Sequence, residues 1–193
     1  KTKATPIKLT AQDLGYSVSC PATKQDFENL ATHIKPDLII VIAYGMILPK
    51  SITDTYLCIN AHASLLPKYR GSSPIQAALL NNDTASGITL IHMNEHMDEG
   101  NILMQQAIGI NPSDTCANLH DKLALSTAEC ITSIVLQISK NIPLNNVPQD
   151  HKNASYCHKL NKESFYLNPN DHIDTNMAKI RAFSPKPALV PAP

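Results

Sequence analysis

Blocks of apolar residues alternate with polar turns along the first half of the chain and predict helices and strands in turn. Residues 5–15 begin with a Thr-Pro pair, a favourable cap and first helical position, and end at Gly15, so they predict a helix. Residues 25–34 carry apolar side chains at helical spacing. The continuous β-branched run at 37–43 is typical of a strand buried on both faces of a parallel sheet. Shorter apolar runs predict strands at 17–20 and 57–60.

The second half adds a pair of strands and a long helix. The predicted elements are a helix from the Ser-Pro pair at 73–74 through Leu80, strands at 87–93 and 102–110, and a helix over 119–138 capped by Asp114 or Thr115. Because a loop at 94–101 joins the two strands, we expect antiparallel pairing at one edge of the sheet. After Asn141 the chain predicts an irregular tail with one helix near 171–183. Alternating strands and helices imply an α/β fold with a mostly parallel sheet.

Composition and charge narrow the class of protein. The 193 residues suffice for one domain with a core and the start of a second, and 43% hydrophobic with 17% charged residues is ordinary for a globular protein. The formal net charge is zero, so no overall basic field points to nucleic acid, although a local basic patch remains compatible with it. Five scattered cysteines without a C-x-x-C pair suit the reducing cytoplasm. No apolar run approaches the roughly 20 residues that span a bilayer, so we expect no membrane partner.

The first candidate site residues follow the predicted strand at 57–60. Asn60 ends this strand and His62 comes two residues later, so their side chains point to the same side. In α/β sheets, sites form beyond the carboxyl ends of strands. An amide N–H and a titratable imidazole are the two donors that a developing oxyanion needs. A capping asparagine and a half-buried histidine are the ordinary alternative, but the rigid Leu-Leu-Pro at 65–67 favours the functional interpretation.

Asp98, in the loop at 94–101, is the second candidate. Gly100 permits a tight turn there, and we expect it to have a positive φ. A carboxylate held in this turn would face His62 and take part in proton transfer. By itself this motif favours the alternative, an aspartate that only stabilises its own turn.

Other polar clusters are weaker candidates for a functional site. His92 and His96 flank Glu95, but they straddle a strand end and a loop without a third ligand, so we do not expect a metal site. The Lys-Tyr-Arg at 68–70 would suit an anionic ligand, although a solvated loop is the more common case. The sequence contains no G-x-G-x-x-G, P-loop or G-x-S-x-G motif, so nucleotide phosphate binding and serine-hydrolase chemistry are unsupported.

Several motifs together resemble a known family. They are Asn60-Ala-His62, Ser64-Leu-Leu-Pro67, Arg70-Gly71 and Asp98-x-Gly100. In this order and spacing they resemble the formyltransferase family that uses 10-formyltetrahydrofolate. Further motifs, at 43–49, 71–76, 158–163 and 180–185, resemble the branch of that family that formylates methionyl-tRNA. The similarity extends over almost the whole chain.

The resemblance implies a Rossmann-like domain, a mechanism and its substrates. The formyl donor would be 10-formyltetrahydrofolate, and no metal would be needed. The acceptor would be methionine on initiator tRNA, and the enzyme would be a monomer. Asn60 and protonated His62 would stabilise the oxyanion, and Asp98 would pair with His62 and assist proton removal. Residues implied to bind the folate are the loop Ser64, Leu65, Leu66 and Pro67, and a pterin pocket wall of Tyr44, Gly45, Met46, Ile47 and Leu48.

The resemblance also implies a domain layout. Residues 1–140 would form the catalytic α/β domain, incomplete at its N-terminus, and 141–193 its end and a linker toward a missing C-terminal β-barrel.

Three alternatives to this function remain open from the sequence. In the first, the acceptor is a small amine such as an amino sugar or glycinamide ribotide. In the second, water replaces the amine, and the protein is a formyltetrahydrofolate hydrolase. In the third, the chain is a non-catalytic α/β binding module.

Overall fold

The computed structural model describes residues 4–185 and 189–191. The described residues up to 36 form one compact unit, and those from 37 onward form a second. The first unit holds helices α1 (Pro6–Asp13) and α2 (Lys24–Ile34), as predicted. The α2 helix begins with a capping box, in which Thr23 and Asp26 each accept a hydrogen bond from the other's backbone N–H. The predicted strand at 17–20 is wrong, because this segment is largely exposed and pairs with no strand among the described residues.

The second unit contains the sheets and the remaining helices. In chain order its elements are β1 (Leu38–Ile42), α3 (Lys50–Thr55), β2 (Leu57–His62), β3 (Arg70–Gly71), α4 (Pro74–Leu80), β4 (Ala85–His92), β5 (Ile102–Gly109), α5 (Cys116–Ser139), β6 (Tyr156–Cys157), β7 (Tyr166–Leu167), α6 (Ile173–Ala182) and β8 (Val190–Pro191). Helix α3 and the short strands β3, β6, β7 and β8 have no counterpart in the sequence-based prediction. The other elements lie within a few residues of their predicted bounds. No helix in the described part of the chain is both long and apolar enough to cross a membrane.

The main sheet has the order β1-β2-β4-β5 and confirms the α/β class. Strands β1 and β2 pair in parallel, as expected for the first half of the chain. Strand β4 pairs antiparallel with both β2 and β5, which confirms the predicted antiparallel pairing at one edge. Among the described residues the sheet is therefore mixed, with one parallel and two antiparallel pairings.

Strand β1 is less buried than its sequence predicts. The β-branched run at 37–43 indicated a strand covered on both faces, but most of β1 is only half-buried and Ile42 is 50% exposed. The physical reason is its position, because β1 forms an edge of the described sheet. The strand buried most fully is β4, six of whose eight residues are buried, and it lies between β2 and β5.

The core lies between the sheet and helices α4 and α5. Helix α5 is capped by Thr115, one of its two predicted caps, whose side chain accepts from the N–H of Asn118. Fully buried apolar side chains from the sheet and these helices pack together, among them Ile59, Leu79, Ile88, Leu90, Leu119 and Ile134. Burying such side chains contributes about 1.5–3 kcal/mol each. This packing fixes the end of β2, where the candidate residues lie.

The tail after Asn141 is more ordered than expected. The predicted helix is present as α6, but β6 also pairs in parallel with β3. The backbone N–H of Arg70 donates to the carbonyl of Ser155 over 2.8 Å, which continues this pairing. The tail therefore runs alongside the segment that follows β2.

Candidate active site

The structure brings the three predicted catalytic side chains together. Asn60 and His62 lie on β2 and Asp98 lies in the loop between β4 and β5. The Asn60 amide donates to Oδ1 of Asp98 over 3.2 Å, and Nδ1 of His62 lies 3.5 Å from the same oxygen. The alternation of side chains along β2 accounts for the first pair, and the turn after β4 brings the carboxylate to it.

The hydrogen bonds of His62 fix the position of its proton. Its Nε2 lies 2.8 Å from the carbonyl oxygen of Tyr69, and the residue is 6% exposed. A carbonyl only accepts, so Nε2 carries the hydrogen. Any proton that His62 gains or loses is therefore on Nδ1, the nitrogen that faces Asp98.

The carboxylate of Asp98 is held at several points. Its Oδ2 accepts from the backbone N–H of Gly71 over 2.8 Å, while its Oδ1 faces Asn60 and His62. The backbone of Asp98 has φ 55°, in the left-handed region. Aspartate tolerates this conformation better than most residues.

The expected positive φ at Gly100 is wrong, because Asp98 takes that conformation in the turn. Gly100 is needed for a different reason. A Cβ at Gly100 would lie 1.8 Å from the carbonyl oxygen of His92 and 2.9 Å from its carbonyl carbon. Close approach of two backbone segments thus requires glycine here.

Replacing Gly100 with alanine should lower the free energy of unfolding by about 1–3 kcal/mol, because the backbone must move to admit the methyl group. Urea denaturation measures the change. Gly109→Ala is the matched control, since a Cβ there meets nothing within 4 Å. Equal stabilities of the two variants would contradict this explanation of Gly100.

A cavity of about 730 Å³ lies beside the three residues. Asn60, His62 and Asp98 all line it, and so does part of α5. The predicted pocket wall also lines it: Tyr44, Gly45, Met46, Ile47 and Leu48. The walls are mainly apolar, with a few polar groups close together, as is usual in sites for small molecules and cofactors.

The predicted folate loop does not line this cavity. Ser64 and Leu66 are buried, and neither they nor Leu65 and Pro67 are among the lining residues. The segment is instead bound to the sheet beneath it. The N–H of Leu66 donates to Oγ1 of Thr89 over 3.0 Å, and that hydroxyl donates to the carbonyl of Ser64 over 2.6 Å. These bonds fix the turn that carries the Tyr69 carbonyl to His62.

Arg70 is not the solvated loop residue that its basic neighbours suggested. It is 1% exposed, and its guanidinium donates to Oε1 of Gln149 over 2.8 and 3.1 Å and to Oε1 of Glu99 over 3.0 Å. Tyr156 and His151 complete its surroundings, at 3.1 and 3.3 Å. Sequence reasoning missed Gln149 and Glu99, because neither belongs to a spacing pattern. Only the position of Glu99 next to Asp98 pointed toward the site.

Two groups beside Arg70, the Tyr69 phenol and the Cys157 thiol, remain protonated at neutral pH. Burial, followed by the hydrogen bond to Asp83, raises the pKa of Tyr69 to about 12. Burial raises the pKa of the Cys157 thiol, whose Sγ contacts the carbonyls of Tyr69 and Arg70. In the described part of the chain, no three His, Cys, Asp or Glu side chains are grouped to hold a metal ion.

Comparison with known proteins assigns the class of this fold and site. A family model described as formyl transferase matches residues 2–135. The chain therefore belongs to the formyl transferase family, as its motifs indicated. The relatives have a more particular name, methionyl-tRNA formyltransferase. That of Nitrosomonas eutropha is 38% identical over 97% of this chain and 60% of its own length. The methionyl-tRNA formyltransferase of Ehrlichia ruminantium is 35% identical over 94% of this chain and 60% of its own length.

Solved structures show the same fold. HypX from Aquifex aeolicus, in complex with tetrahydrofolic acid, matches with a TM-score of 0.78 and 18% identity over 92% of this chain and 31% of its own. An N-formyltransferase from Helicobacter canadensis, in complex with folinic acid and dTDP-3-aminofucose, matches with a TM-score of 0.64 and 25% identity. The match covers 72% of this chain and 52% of the other. The chain spans about 60% of the length of the curated relatives.

Proposed function

We propose that the protein transfers a formyl group from 10-formyltetrahydrofolate to the amine of methionine on initiator tRNA. One observation carries the proposal: Asn60, His62 and Asp98 converge on one wall of a cavity of about 730 Å³. Membership of the formyl transferase family and the names of the curated relatives support it. We also expect the protein to act as a monomer in the cytoplasm.

In this mechanism the methionine amine attacks the formyl carbon and produces a tetrahedral intermediate with a negative oxygen. The Asn60 amide has two N–H groups, one used by Asp98 and the other free for that oxygen. Protonated His62 supplies a positive charge and an Nδ1–H on the same side. Removing one such donor typically costs about 10²–10³ in rate.

Asp98 completes the proton balance of the reaction. The attacking amine loses a proton and N10 of the folate gains one as the C–N bond breaks. The Asp98 carboxylate, 3.5 Å from Nδ1 of His62, accepts the amine proton through water and passes it on, again through water, to N10. Tetrahydrofolate and formylmethionyl-tRNA leave, and the protein returns to its starting state.

The folate would lie along the wall formed by residues 44–48, with its formyl group toward His62. This apolar stretch suits the flat pterin ring. The loop 64–67 would act from behind the site, because its hydrogen bonds hold the turn that orients His62. Holding both reactants in a fixed position lowers the activation free energy by roughly 7–11 kcal/mol.

A small amine is the second candidate acceptor. The structural relative from Helicobacter canadensis was solved with an amino sugar nucleotide, dTDP-3-aminofucose. Because the same three side chains serve any amine, and also water, the acceptor must be found by experiment.

The test supplies the natural full-length protein with 10-formyltetrahydrofolate and one acceptor at a time: methionyl-tRNA, a dTDP-amino sugar, or water alone. We expect tetrahydrofolate release that requires methionyl-tRNA, with uncharged tRNA as the control. Release with the amino sugar only, or at the same rate with water alone, would overturn the proposal.

A further inference from the structure

We propose that Gln149 is a positioning residue for Asp98, and that buried Arg70 holds it in its working orientation. The inference rests on the proposed function, since it assigns the device that keeps the Asp98 carboxylate aimed at Asn60 and His62. Gln149 does not line the cavity. It therefore acts through Asp98 and not on the substrates.

The contacts of Gln149 span the turn that carries Asp98. Its Nε2 donates to the carbonyl oxygens of Asp98 and Gly100, each over 2.8 Å. The residue is 5% exposed, so water does not replace these bonds. One side-chain amide thus uses both of its N–H groups on a single turn of three residues.

Arg70 fixes which way the Gln149 amide points. Its Nε and Nη2 donate to Oε1 of Gln149 over 3.1 and 2.8 Å. A guanidinium only donates, so the amide oxygen of Gln149 must face Arg70 and Nε2 must face the turn. The same guanidinium binds Glu99, the residue between the two bridged carbonyls.

The turn needs such support because of its backbone. Asp98 has φ 55°, a conformation that costs free energy for residues other than glycine and persists only where the surroundings impose it. With the carbonyls at 98 and 100 anchored, the carboxylate reaches Asn60 and the N–H of Gly71. Without the anchor we expect the turn to relax and the carboxylate to move away from His62.

The test variant is Gln149→Glu in the natural full-length protein. A glutamate still accepts from Arg70, so the buried guanidinium stays paired, but it cannot donate to the two carbonyls. We expect kcat for formyl transfer to fall about 10²-fold, as a displacement of about 1 Å would cause, with KM for 10-formyltetrahydrofolate within about threefold. Gln106→Glu is the control for the added charge, because Gln106 is exposed on β5.

A second readout does not depend on activity. Hydrogen exchange of the Gly71 amide, which donates to Asp98, should become faster in Gln149→Glu but not in Gln106→Glu. The neighbouring Ser72 amide donates to the carbonyl of Cys157 and should not change, so it reports general loosening.

The outcomes separate this inference from the proposed function. If Gly71 exchange is faster in Gln149→Glu but the wild-type protein transfers no formyl group, the positioning role is supported and the proposed function is wrong. Unchanged Gly71 exchange, or a rise in KM with kcat preserved, would overturn the positioning role. Equal acceleration at Gly71 and Ser72 would also overturn it, because it would mark a general loss of structure.

Discussion

Asp98→Asn should lower kcat for formyl transfer by about 10³-fold and leave the KM for 10-formyltetrahydrofolate within a few-fold of wild type. The substitution keeps the shape of the side chain, and asparagine tolerates the left-handed backbone at this position. What it removes is the negative charge 3.5 Å from Nδ1 of His62 and the ability to take a proton. Positioned acid–base groups typically contribute about 10²–10⁴ in rate.

Steady-state kinetics with methionyl-tRNA measure this effect, and the thermal midpoint checks the fold. Asp13→Asn is the matched control, because it makes the same change at an exposed position on α1. A variant that keeps more than about a tenth of wild-type kcat would exclude Asp98 from the chemistry. Loss of folate affinity with kcat preserved would place it in binding instead.

Arg70→Met should lower the free energy of unfolding by about 3–5 kcal/mol, the usual cost of removing one partner from a buried charged network. Arg70 is 1% exposed, and methionine fills part of its volume without offering any donor. Gln149 would lose the donors to its Oε1, and Glu99 would lose its charged partner. We expect activity to fall as well, since both residues hold the turn at Asp98.

Denaturant unfolding of the full-length protein measures this change. Arg181→Met is the matched control, because it makes the same substitution at an arginine whose hydrogen bond to Asn82 lies at the surface. The control should cost no more than about 1 kcal/mol. Similar losses in the two variants would show that the burial of Arg70 adds nothing to stability.

The convergence of Asn60, His62 and Asp98 could be predicted because strand alternation and the family motifs both point to it. Strand alternation places Asn60 and His62 on one side of β2, and a loop between two paired strands returns Asp98 to the same edge. The long helix and its Thr115 cap follow from local pattern in the same way. This helix and its cap need no knowledge of the rest of the chain.

The supporting residues were not predictable, because their roles arise from distant contacts. An arginine next to lysine and tyrosine is usually solvated, and Arg70 is buried only because the tail pairs beside β3. Gln149 lies 51 residues after Asp98 in an irregular segment and carries no periodic signal. The sequence predicts that Gly100 permits a tight turn, but the reason that glycine is needed, the nearby carbonyl of His92 on β4, is visible only in three dimensions.

The central claim is that Asn60, His62 and Asp98 surround the formyl group during transfer. A crystal structure of the full-length Asp98→Asn variant with 10-formyltetrahydrofolate, without an acceptor amine, tests it most directly. We predict the formyl oxygen about 3 Å from Nδ2 of Asn60 and Nδ1 of His62, with the pterin against residues 44–48. A folate bound with its formyl group elsewhere, out of reach of all three side chains, would contradict the claim.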